Sequence, residues 1–467
     1  MPMKFPSINP RVAVLTGSAI ADRGLLGIAT FVATVLLGRW AGPAELGLFS
    51  FFFPLVFVAI ALEESLITAP YTVLAASHDR EERRNYLGSV LTHSIILSAT
   101  LAVFFCTAAV VVRAFGLTDF AAVTAILALV TPCVLLREFA RRVVYADLRP
   151  TAAVLLSGGV SAMQLGLMAA FHAAGVLTAI TAFIAMAVSS AVGGMTWLYL
   201  NRAAVQLPAR NLHSAFQRNL RLGRWIAASQ VGEVVRIHMF SWLLVIVIDE
   251  TSAGVYAACA AVAALTVPIQ IALSNLLLPQ FASAANNEGV AAADRLVRQA
   301  TIWITGAMLT LAIALLTVSQ FVVPLIYGPA YVGTQLPLVL LILAQLAAAA
   351  SLPAARALVA FRRTDLDFVC HLGGVVTNIA VGAPLVIWWG IPGAASAALL
   401  SAAVKAALCA YFYQREARAR MAAANRILEA AASGVHRFDA LSRTAGALRS
   451  PAPLLAAGAE RWTEELP

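Results

Sequence analysis

Long apolar stretches alternate with short breaks of glycine, proline or charged residues through nearly the whole chain. Each stretch is long enough to cross a hydrocarbon core of about 30 Å at about 1.5 Å per helical residue. The pattern therefore predicts an all-α integral membrane protein with about 12 transmembrane helices. The predicted spans cover residues 12–38, 46–76, 86–112, 120–144, 151–173, 177–200, 223–248, 252–280, 299–326, 332–355, 368–389 and 391–413.

The composition agrees with a chain that lies in lipid. Of its 467 residues, 61% are hydrophobic and only 12% are charged, whereas soluble domains carry about 25% charged residues. The first apolar stretch is too long for the core of a cleavable signal peptide, so we expect it to be the first span. The five cysteines lie in apolar stretches without a CxxC pair, which favours small buried side chains over a metal site.

The loops between spans alternate between two classes, one rich in arginine and lysine and one poor in them. With the N-terminus in the cytoplasm, the outer segments contain only Arg39 and Arg113. Arg23, Arg236 and Lys405 lie well inside spans, and all the others of the 32 lie in inner segments, at the inner ends of spans (as Arg137, Arg141 and Arg142 do) or in the C-terminal tail. Because cytoplasmic segments are enriched in arginine and lysine, we predict that both termini and the 202–224 loop are cytoplasmic. The net charge of +9 then reflects membrane topology, and nucleic acid is not an expected partner.

The second half of the chain repeats features of the first at nearly constant spacing and in the same order. The matched positions are 65–70 (SLITAP) with 274–279 (SNLLLP), Gly47 with Gly254, Arg141 with Arg356 and Gly175 with Gly390. Chance matching in a chain rich in alanine and leucine is the alternative explanation.

Six spans per repeat predict two parallel six-helix lobes, related by a pseudo-two-fold axis along the membrane normal. The predicted units are an N-terminal lobe (1–201), a cytoplasmic linker (202–222), a C-terminal lobe (223–413) and a cytoplasmic tail (414–467). The tail is expected to begin with a surface helix and to end in a disordered segment.

Four motifs resemble those of the Wzx-type polysaccharide and O-antigen flippases. They are LLGRWAGPAELGLF at 36–49, AGVYA at 253–257, YGPAY at 327–331 and GIPGAA at 390–395. The resemblance covers about residues 12–413 and leaves the tail outside. This family is a branch of the superfamily that also contains the multidrug exporters and the lipid II flippase.

The resemblance implies a central cavity between two six-helix lobes that opens to one side of the membrane at a time. It further implies an oligosaccharide substrate on a polyprenyl pyrophosphate carrier, in the bacterial cytoplasmic membrane, for exopolysaccharide, capsule or O-antigen synthesis. Membrane lipid, a polysaccharide polymerase and export machinery are the implied partners. The sugar needs a polar path, because its hydroxyl groups would lose their hydrogen bonds to water in lipid.

Charged residues inside spans are the strongest candidates for function, since they are costly in a bilayer and usually face the protein interior. Arg23 and Arg236 lie near the middle of the first and seventh spans, which the repeat makes equivalent. Guanidinium groups can hold pyrophosphate through paired hydrogen bonds, so both arginines are predicted substrate ligands. The alternative is a structural ion pair between Glu233 and one of the two arginines.

Carboxylates inside the spans are the candidates for ion coupling, because a buried carboxylate can carry a proton. We assign this role to Glu64, Asp22 and Glu233. Of the adjacent Glu63 and Glu64, the second is expected to face the cavity. For Glu64 and Asp22, pairing with a nearby arginine explains the sequence equally well.

Three further polar residues in the second half have two interpretations each. Gln270 and Ser274 are predicted to bind sugar hydroxyl groups, or else they bridge packed helices. Lys405 either lines the cavity or extends to the inner membrane surface, and the second interpretation is slightly favoured.

The energy source and the class of activity are constrained mainly by missing motifs. The sequence has no GxxxxGK[ST] motif, so ATP is not an expected direct energy source, and no cofactor or metal is predicted. The main alternative function is a small-molecule exporter of the multidrug type. An enzyme of polysaccharide synthesis is disfavoured, because the predicted outer loops are short and no acidic cytosolic motif is found.

Overall fold

The computed structural model describes residues 10–74, 80–202 and 212–432. Within these ranges every regular element is a helix. The helices are α1 (Pro10–Trp40), α2 (Pro43–Glu63), α3 (Ala69–Leu74), α4 (Arg80–Ala114), α5 (Thr118–Ala146), α6 (Pro150–Ala173), α7 (Ala179–Leu200), α8 (Leu212–Val247), α9 (Glu250–Ala263), α10 (Val267–Asn287), α11 (Val290–Thr317), α12 (Ser319–Tyr327), α13 (Gln335–Ala360) and α14 (Thr364–Ala432).

These helices account for about 12 membrane crossings. In the described ranges, 10 helical segments are long and apolar enough to cross a membrane. One of them contains two crossings, because α14 turns back at Gly390, where the backbone leaves the helical conformation with a φ of 61°. Helix α1 adds the last crossing through its apolar part, Gly24–Trp40. The predicted all-α fold is therefore confirmed.

The second crossing of each half is a broken helix. Helices α2 and α3 are joined by a π-helical turn, Glu64–Thr68, and α9 and α10 by a 3-10 turn, Ala264–Thr266. In both cases a proline, Pro70 or Pro268, is the second residue of the following helix. Proline has no N–H to donate and crowds the preceding turn, so the regular hydrogen-bond pattern changes just before it.

The crossings form two lobes with the same internal arrangement. Helices α1 to α7 make the first lobe and α8 to α14 the second. In the first lobe α5 packs against α2, α4, α6 and α7, and in the second α13 packs against α9, α10, α11 and α14. These two central helices carry the matched Arg141 and Arg356. Two six-helix lobes related by a pseudo-two-fold axis are thus present, as the repeat predicted.

One end of the bundle, here termed the short-loop end, contains the tight turns at 41–42, 115–117 and 248–249. The other is termed the arginine-rich end. At the short-loop end α2 and α9 cross closely. A Cβ atom at Gly47 would lie 1.7 Å from the carbonyl oxygen of Glu250, and one at Gly254 would lie 1.8 Å from that of Pro43.

The crossing of α2 and α9 is reciprocal. The position 207 residues after Gly47 is Gly254, and the position 207 residues after Pro43 is Glu250. The same contact is therefore made twice, once from each half. This is the arrangement expected when a two-fold axis passes between the two helices. Only glycine, which has no Cβ, permits this approach of the backbones.

The apolar core is shared at one end of the molecule and divided at the other. At the short-loop end, Phe49 of the first lobe and Tyr256 of the second belong to a single cluster of buried side chains. At the arginine-rich end, the clusters around Phe139 and Phe281 are separate, one in each lobe. The lobes therefore share no apolar core at the arginine-rich end, and the space between them there is termed the cleft.

Helix α8 begins against the first lobe and ends inside the second. A Cβ atom at Gly223 would lie 2.1 Å from the carbonyl oxygen of Ser65 in the π-helical turn. Nearby, the hydroxyl of Tyr86 on α4 donates to Oδ1 of Asn219 at 2.9 Å. The arginine-rich half of α8 thus connects the two lobes across one side of the cleft.

The predicted linker and tail lie partly outside the described residues. Residues 203–211 and 433–467 are outside them, whereas the linker residues from Leu212 onward are already part of α8. Helix α14 continues from the last crossing to Ala432 without a break at residue 414. Its extension is held by Arg420, whose Nη2 donates to the carbonyl oxygen of Phe361 at 2.8 Å.

Candidate functional site

Arg236 and Glu233 form a bidentate ion pair in the middle of α8. The Nε and Nη2 atoms of Arg236 donate to the two carboxylate oxygens of Glu233 at 2.8 and 2.6 Å. The residues are three positions apart, so they share one face of the helix. Their side chains are 27% and 47% exposed, respectively. The local ion pair was one of the two alternatives left open by the sequence, and the pair is accessible to a ligand.

This ion pair lies on the side of α8 that faces α14. One turn further along α8, the ring of Phe240 would be 2.7 Å from a Cβ atom at Gly382 of α14. The charges of His371 and Lys405, both on α14, also act on Glu233. A small group of ionisable side chains from two helices therefore surrounds the Arg236–Glu233 pair.

Another side of α8 contacts α2 of the first lobe. Nε1 of Trp242 donates to the carbonyl oxygen of Phe51 at 2.7 Å. The rings of His238 and Phe57 are stacked with centroids 6.0 Å apart. Helix α8 therefore lies between the lobes, and a change in its position would alter both the ion pair and the lobe contact.

A second, buried network of charges lies in the first lobe. Asp22 of α1 is fully buried, and its Oδ2 accepts from Nη1 of Arg141 at 3.1 Å and from the Tyr145 hydroxyl at 2.7 Å. The Nη2 of Arg141 also donates to Glu138 at 2.5 Å. The other oxygen of Asp22 has no partner among the described atoms. For Asp22, pairing with an arginine is thus observed.

The adjacent Glu63 and Glu64 point to different helices. Glu64 forms an ion pair with Arg142 of α5, and its side chain is 25% exposed. Glu63 is buried, and its Oε1 accepts a hydrogen bond from the Ser94 hydroxyl of α4 at 2.5 Å. Glu64 is the first residue of the π-helical turn, a distortion that is frequent at functional sites. Of the two carboxylates, Glu64 is the more accessible.

The remaining predicted ligands lie on α1 and α10. Arg23 is part of α1, but its side chain lies outside the described part of the structure. The Nε2 of Gln270 donates to Oε1 of Gln345 at 3.1 Å and to the Thr266 hydroxyl at 3.3 Å, so it bridges α10 and α13. Ser274, one turn further along α10, is half-buried.

The charge network of Glu138 and Arg141 was not predicted from the sequence. Arg137, Arg141 and Arg142 were expected only to mark the cytoplasmic side. In the structure all three lie within α5, and Arg141 is buried. The sequence did contain a signal for this network. Glu138 stands three residues before Arg141 inside a span, and this spacing places both side chains on one face of a helix, where they can form an ion pair.

The sequence also matches a known family profile. Residues 36–335 match the family described as polysaccharide biosynthesis protein. The chain belongs to this family. The match includes three of the four motifs that resemble the Wzx-type flippases, and the resemblance is confirmed. No curated protein is significantly similar to this member of the family in sequence.

Solved structures with the same fold are membrane transporters. An inward-facing multidrug resistance MATE transporter of the MOP superfamily has a TM-score of 0.70 at 14% identity, covering 86% of this chain and 99% of its own. The lipid II flippase MurJ in an inward closed conformation has a TM-score of 0.66 at 14% identity, covering 86% and 87%. A MATE transporter of Vibrio cholerae has a TM-score of 0.58 at 16% identity, covering 88% and 99%.

The family and the fold together define the class of protein. This polysaccharide biosynthesis protein is a multi-pass membrane protein with the fold of the MATE transporters and of MurJ. The structural neighbours are themselves multidrug transporters and a lipid II flippase. At these sequence identities the neighbours establish the fold, and the choice of substrate depends on the residues of this chain.

Proposed function

We propose that the protein moves an oligosaccharide linked to polyprenyl pyrophosphate across the bacterial cytoplasmic membrane. The observation that carries this proposal is the accessible Arg236–Glu233 pair on the helix that lies between the lobes. A cation at the centre of a span costs about 2.5–3.5 kcal/mol on insertion scales, and Glu233 compensates it when the site is empty. Pyrophosphate would displace Glu233 and take both guanidinium hydrogen bonds.

The exchange of partners would couple arrival of the substrate to a change between the lobes. Arg236 is held on α8, and α8 also contacts α2 through Trp242. Removing the Arg236–Glu233 bonds frees a carboxylate on the face that meets α14. We propose that this shift in charge favours closure of the cleft at the arginine-rich end and opening at the short-loop end.

The orientation follows from the distribution of arginine. With the arginine-rich end in the cytoplasm, the cleft opens toward the side where lipid-linked sugars are assembled. The higher TM-score with the inward-facing MATE transporter, 0.70 against 0.59 for an outward-facing one, supports this assignment. Both termini would then be cytoplasmic, and a polysaccharide polymerase and export machinery would receive the product on the other side.

The sugar and the driving ion would use other predicted residues. Gln270 and Ser274 on α10 are proposed to meet sugar hydroxyl groups, and Arg23 on α1 to assist Arg236. Glu64 and Asp22, each paired with an arginine of α5, are proposed to exchange these partners when a coupling ion binds.

The experiment that tests the proposal compares four variants of the α8 pair in cells that lack the wild-type protein. Arg236→Ala should leave the lipid-linked oligosaccharide on the cytoplasmic leaflet, measured as the fraction that an external glycosidase can reach. Arg236→Lys should restore only part of the export, because an ammonium group lacks the two-pronged donor geometry.

Glu233→Ala and the double variant separate a substrate ligand from a structural ion pair. If the pair is only structural, removing both partners should restore export. Full export by the double variant would contradict the proposal. Arg298→Ala is the matched control, because Arg298 is 73% exposed and pairs with Asp294 away from α8.

A small-molecule exporter of the multidrug type is the second candidate, because two of the fold neighbours described above are multidrug or MATE transporters. It predicts that loss of the protein leaves the lipid-linked oligosaccharide correctly distributed while cells become more sensitive to cationic drugs.

A further inference from the structure

Lys405 of α14 lies within a crossing, close to the Arg236–Glu233 pair. Among the described residues it makes no ion pair. Lys405 lies close enough to Arg236 and Glu233 for their charges to act on it. A second cation thus stands beside Arg236, while the nearest carboxylate, Glu233, is already bonded to Arg236.

The heights of the side chains along the bundle agree with this arrangement. A Cβ atom at Gly382 would lie 2.7 Å from the Phe240 ring and 3.6 Å from Cβ of Ala397, so these three residues define one level. Seven residues along α8 lead from Phe240 to Glu233, about 10 Å toward the arginine-rich end. Eight residues along α14 lead from Ala397 to Lys405, about 12 Å in the same direction.

Asp367 stands too far along the bundle to neutralise Lys405. It precedes Gly382 by 15 residues, which is about 22 Å of helix, against about 12 Å for Lys405. One of its carboxylate oxygens is buried without a partner in the described structure. Among the described residues, therefore, no carboxylate forms an ion pair with the cation beside Arg236.

We propose that Lys405 and Arg236 together form a site for the two phosphate groups of a prenyl pyrophosphate. The inference rests on the proposed function and adds a second ligand on a different helix. A pyrophosphate carries two anionic groups joined through one oxygen, and two cations on facing helices can each hold one of them. The planar guanidinium group suits one phosphate with two hydrogen bonds, while the ammonium group acts as a point charge on the other.

Lys405 packs at its base against the other arm of α14. Its Cβ would be 3.7 Å from a Cβ atom at Gly374, which lies on the other arm of α14. The Ser401 hydroxyl donates to the carbonyl oxygen of Gly374 at 2.8 Å. The base of the lysine side chain is therefore packed between the two arms at the level of Glu233.

Chemical labelling gives a direct test, since Lys4 is the only other lysine in the chain. In the purified Lys4→Arg protein, an amine-reactive acylating reagent can modify Lys405, and peptide mass analysis locates the product. We expect farnesyl pyrophosphate and inorganic pyrophosphate to slow acylation of Lys405, whereas farnesol has no effect. Protection by farnesol alone would mean that the prenyl chain, not the pyrophosphate, occupies the site.

Binding affinity gives a second readout that does not depend on the reactivity of the amine. Lys405→Met should weaken farnesyl pyrophosphate binding by about tenfold, the effect of losing one charged hydrogen-bond partner, and Lys405→Arg should retain most of it. Arg298→Met is the control and should bind like the wild type. An unchanged Kd for Lys405→Met would overturn the proposal.

The outcome is separable from that of the proposed function. If Lys405→Met binds normally but Arg236→Ala still blocks export, the flippase proposal stands and the second ligand is wrong. If Lys405 is protected by pyrophosphate but cells without the protein export their polysaccharide normally, the site stands and the proposed cargo is wrong.

Discussion

Arg141 shows how a buried cation is tolerated in this bundle. Its guanidinium group donates to Asp22 on α1 and to Glu138 on its own helix. A charge removed from water is stabilised only when good partners satisfy it, and loss of one partner leaves the other charges uncompensated. The network therefore ties α1 to α5, and its value depends on all its members.

Replacing Arg141 with methionine should strongly destabilise the protein. Asp22 would remain buried without its cation and Glu138 would keep only Arg137, and breaking such a pair costs about 3–5 kcal/mol. Thermal unfolding of the purified protein in detergent measures the effect. Arg298→Met, at a side chain that is 73% exposed, should unfold close to the wild-type temperature. Equal melting temperatures for the two variants would contradict a stabilising role for Arg141.

Glu63 and Glu64 are matched controls for each other. Glu64→Gln should lower transport and change its pH dependence, because Arg142 loses the carboxylate with which it pairs. Glu63→Gln should transport nearly normally, since an amide oxygen can still accept the Ser94 hydrogen bond. Transport in inverted vesicles over a range of pH distinguishes them. The reverse order of effects would assign the coupling role to Glu63.

At the scale of the helices, we expect the crossing of α2 and α9 to seal the short-loop end. The two backbones meet where side chains are absent at Gly47 and Gly254. Since the contact is reciprocal, both halves should contribute equally to closure. Among the described residues no hydrogen bond or ion pair joins α2 to α9, so the two helices can separate without breaking one.

Gly47→Leu and Gly254→Leu should each hold the short-loop end open. A leucine at either position would overlap the opposite backbone, since even a Cβ would lie within 1.8 Å of a carbonyl oxygen. Cys259, buried in the shared core, reports the opening through its reaction with a thiol reagent. Reaction in both variants but not in the wild type is the expected result.

Gly306→Leu on α11 is the control for this pair, because a Cβ atom there meets nothing within 4 Å. It should leave Cys259 unreactive. If Cys259 stays protected in both crossing variants, or if only one of them exposes it, the reciprocal seal is wrong.

At the scale of the whole molecule, the division of the core explains how access to a site can alternate. The lobes share apolar side chains at the short-loop end and have separate cores at the arginine-rich end. Each lobe can therefore move as a packed body while the shared region separates. The opposite state would require the two arginine-rich ends to meet and the α2–α9 crossing to part.

Reporter fusions test the orientation of the whole bundle. Fusions after Gly116 and Gly390 should be active on the periplasmic side, and a fusion in the 202–211 loop should be active in the cytoplasm. The physical reason is the exclusion of arginine from one class of loop. Cytoplasmic activity at both Gly116 and Gly390 would overturn the orientation and the direction of transport.

The twelve crossings, their approximate limits and the repeat could be predicted from the sequence, because apolar length and spacing are properties of the chain taken one segment at a time. The four sequence motifs also made it possible to predict the resemblance to the Wzx-type flippases. The Arg236–Glu233 pair could also be predicted from the sequence, since residues three positions apart lie on the same face of a helix.

Only the tertiary structure decided which residues that are far apart in the sequence come into contact. Asp22 and Arg141 are 119 positions apart, and Gly47 and Glu250 come from different lobes. Their contacts depend on how α1 packs on α5 and how α2 crosses α9, which the helical pattern of a single segment does not encode. The position of Lys405 beside Arg236 has the same cause, because two arms of one bent helix must pack together before the lysine reaches α8.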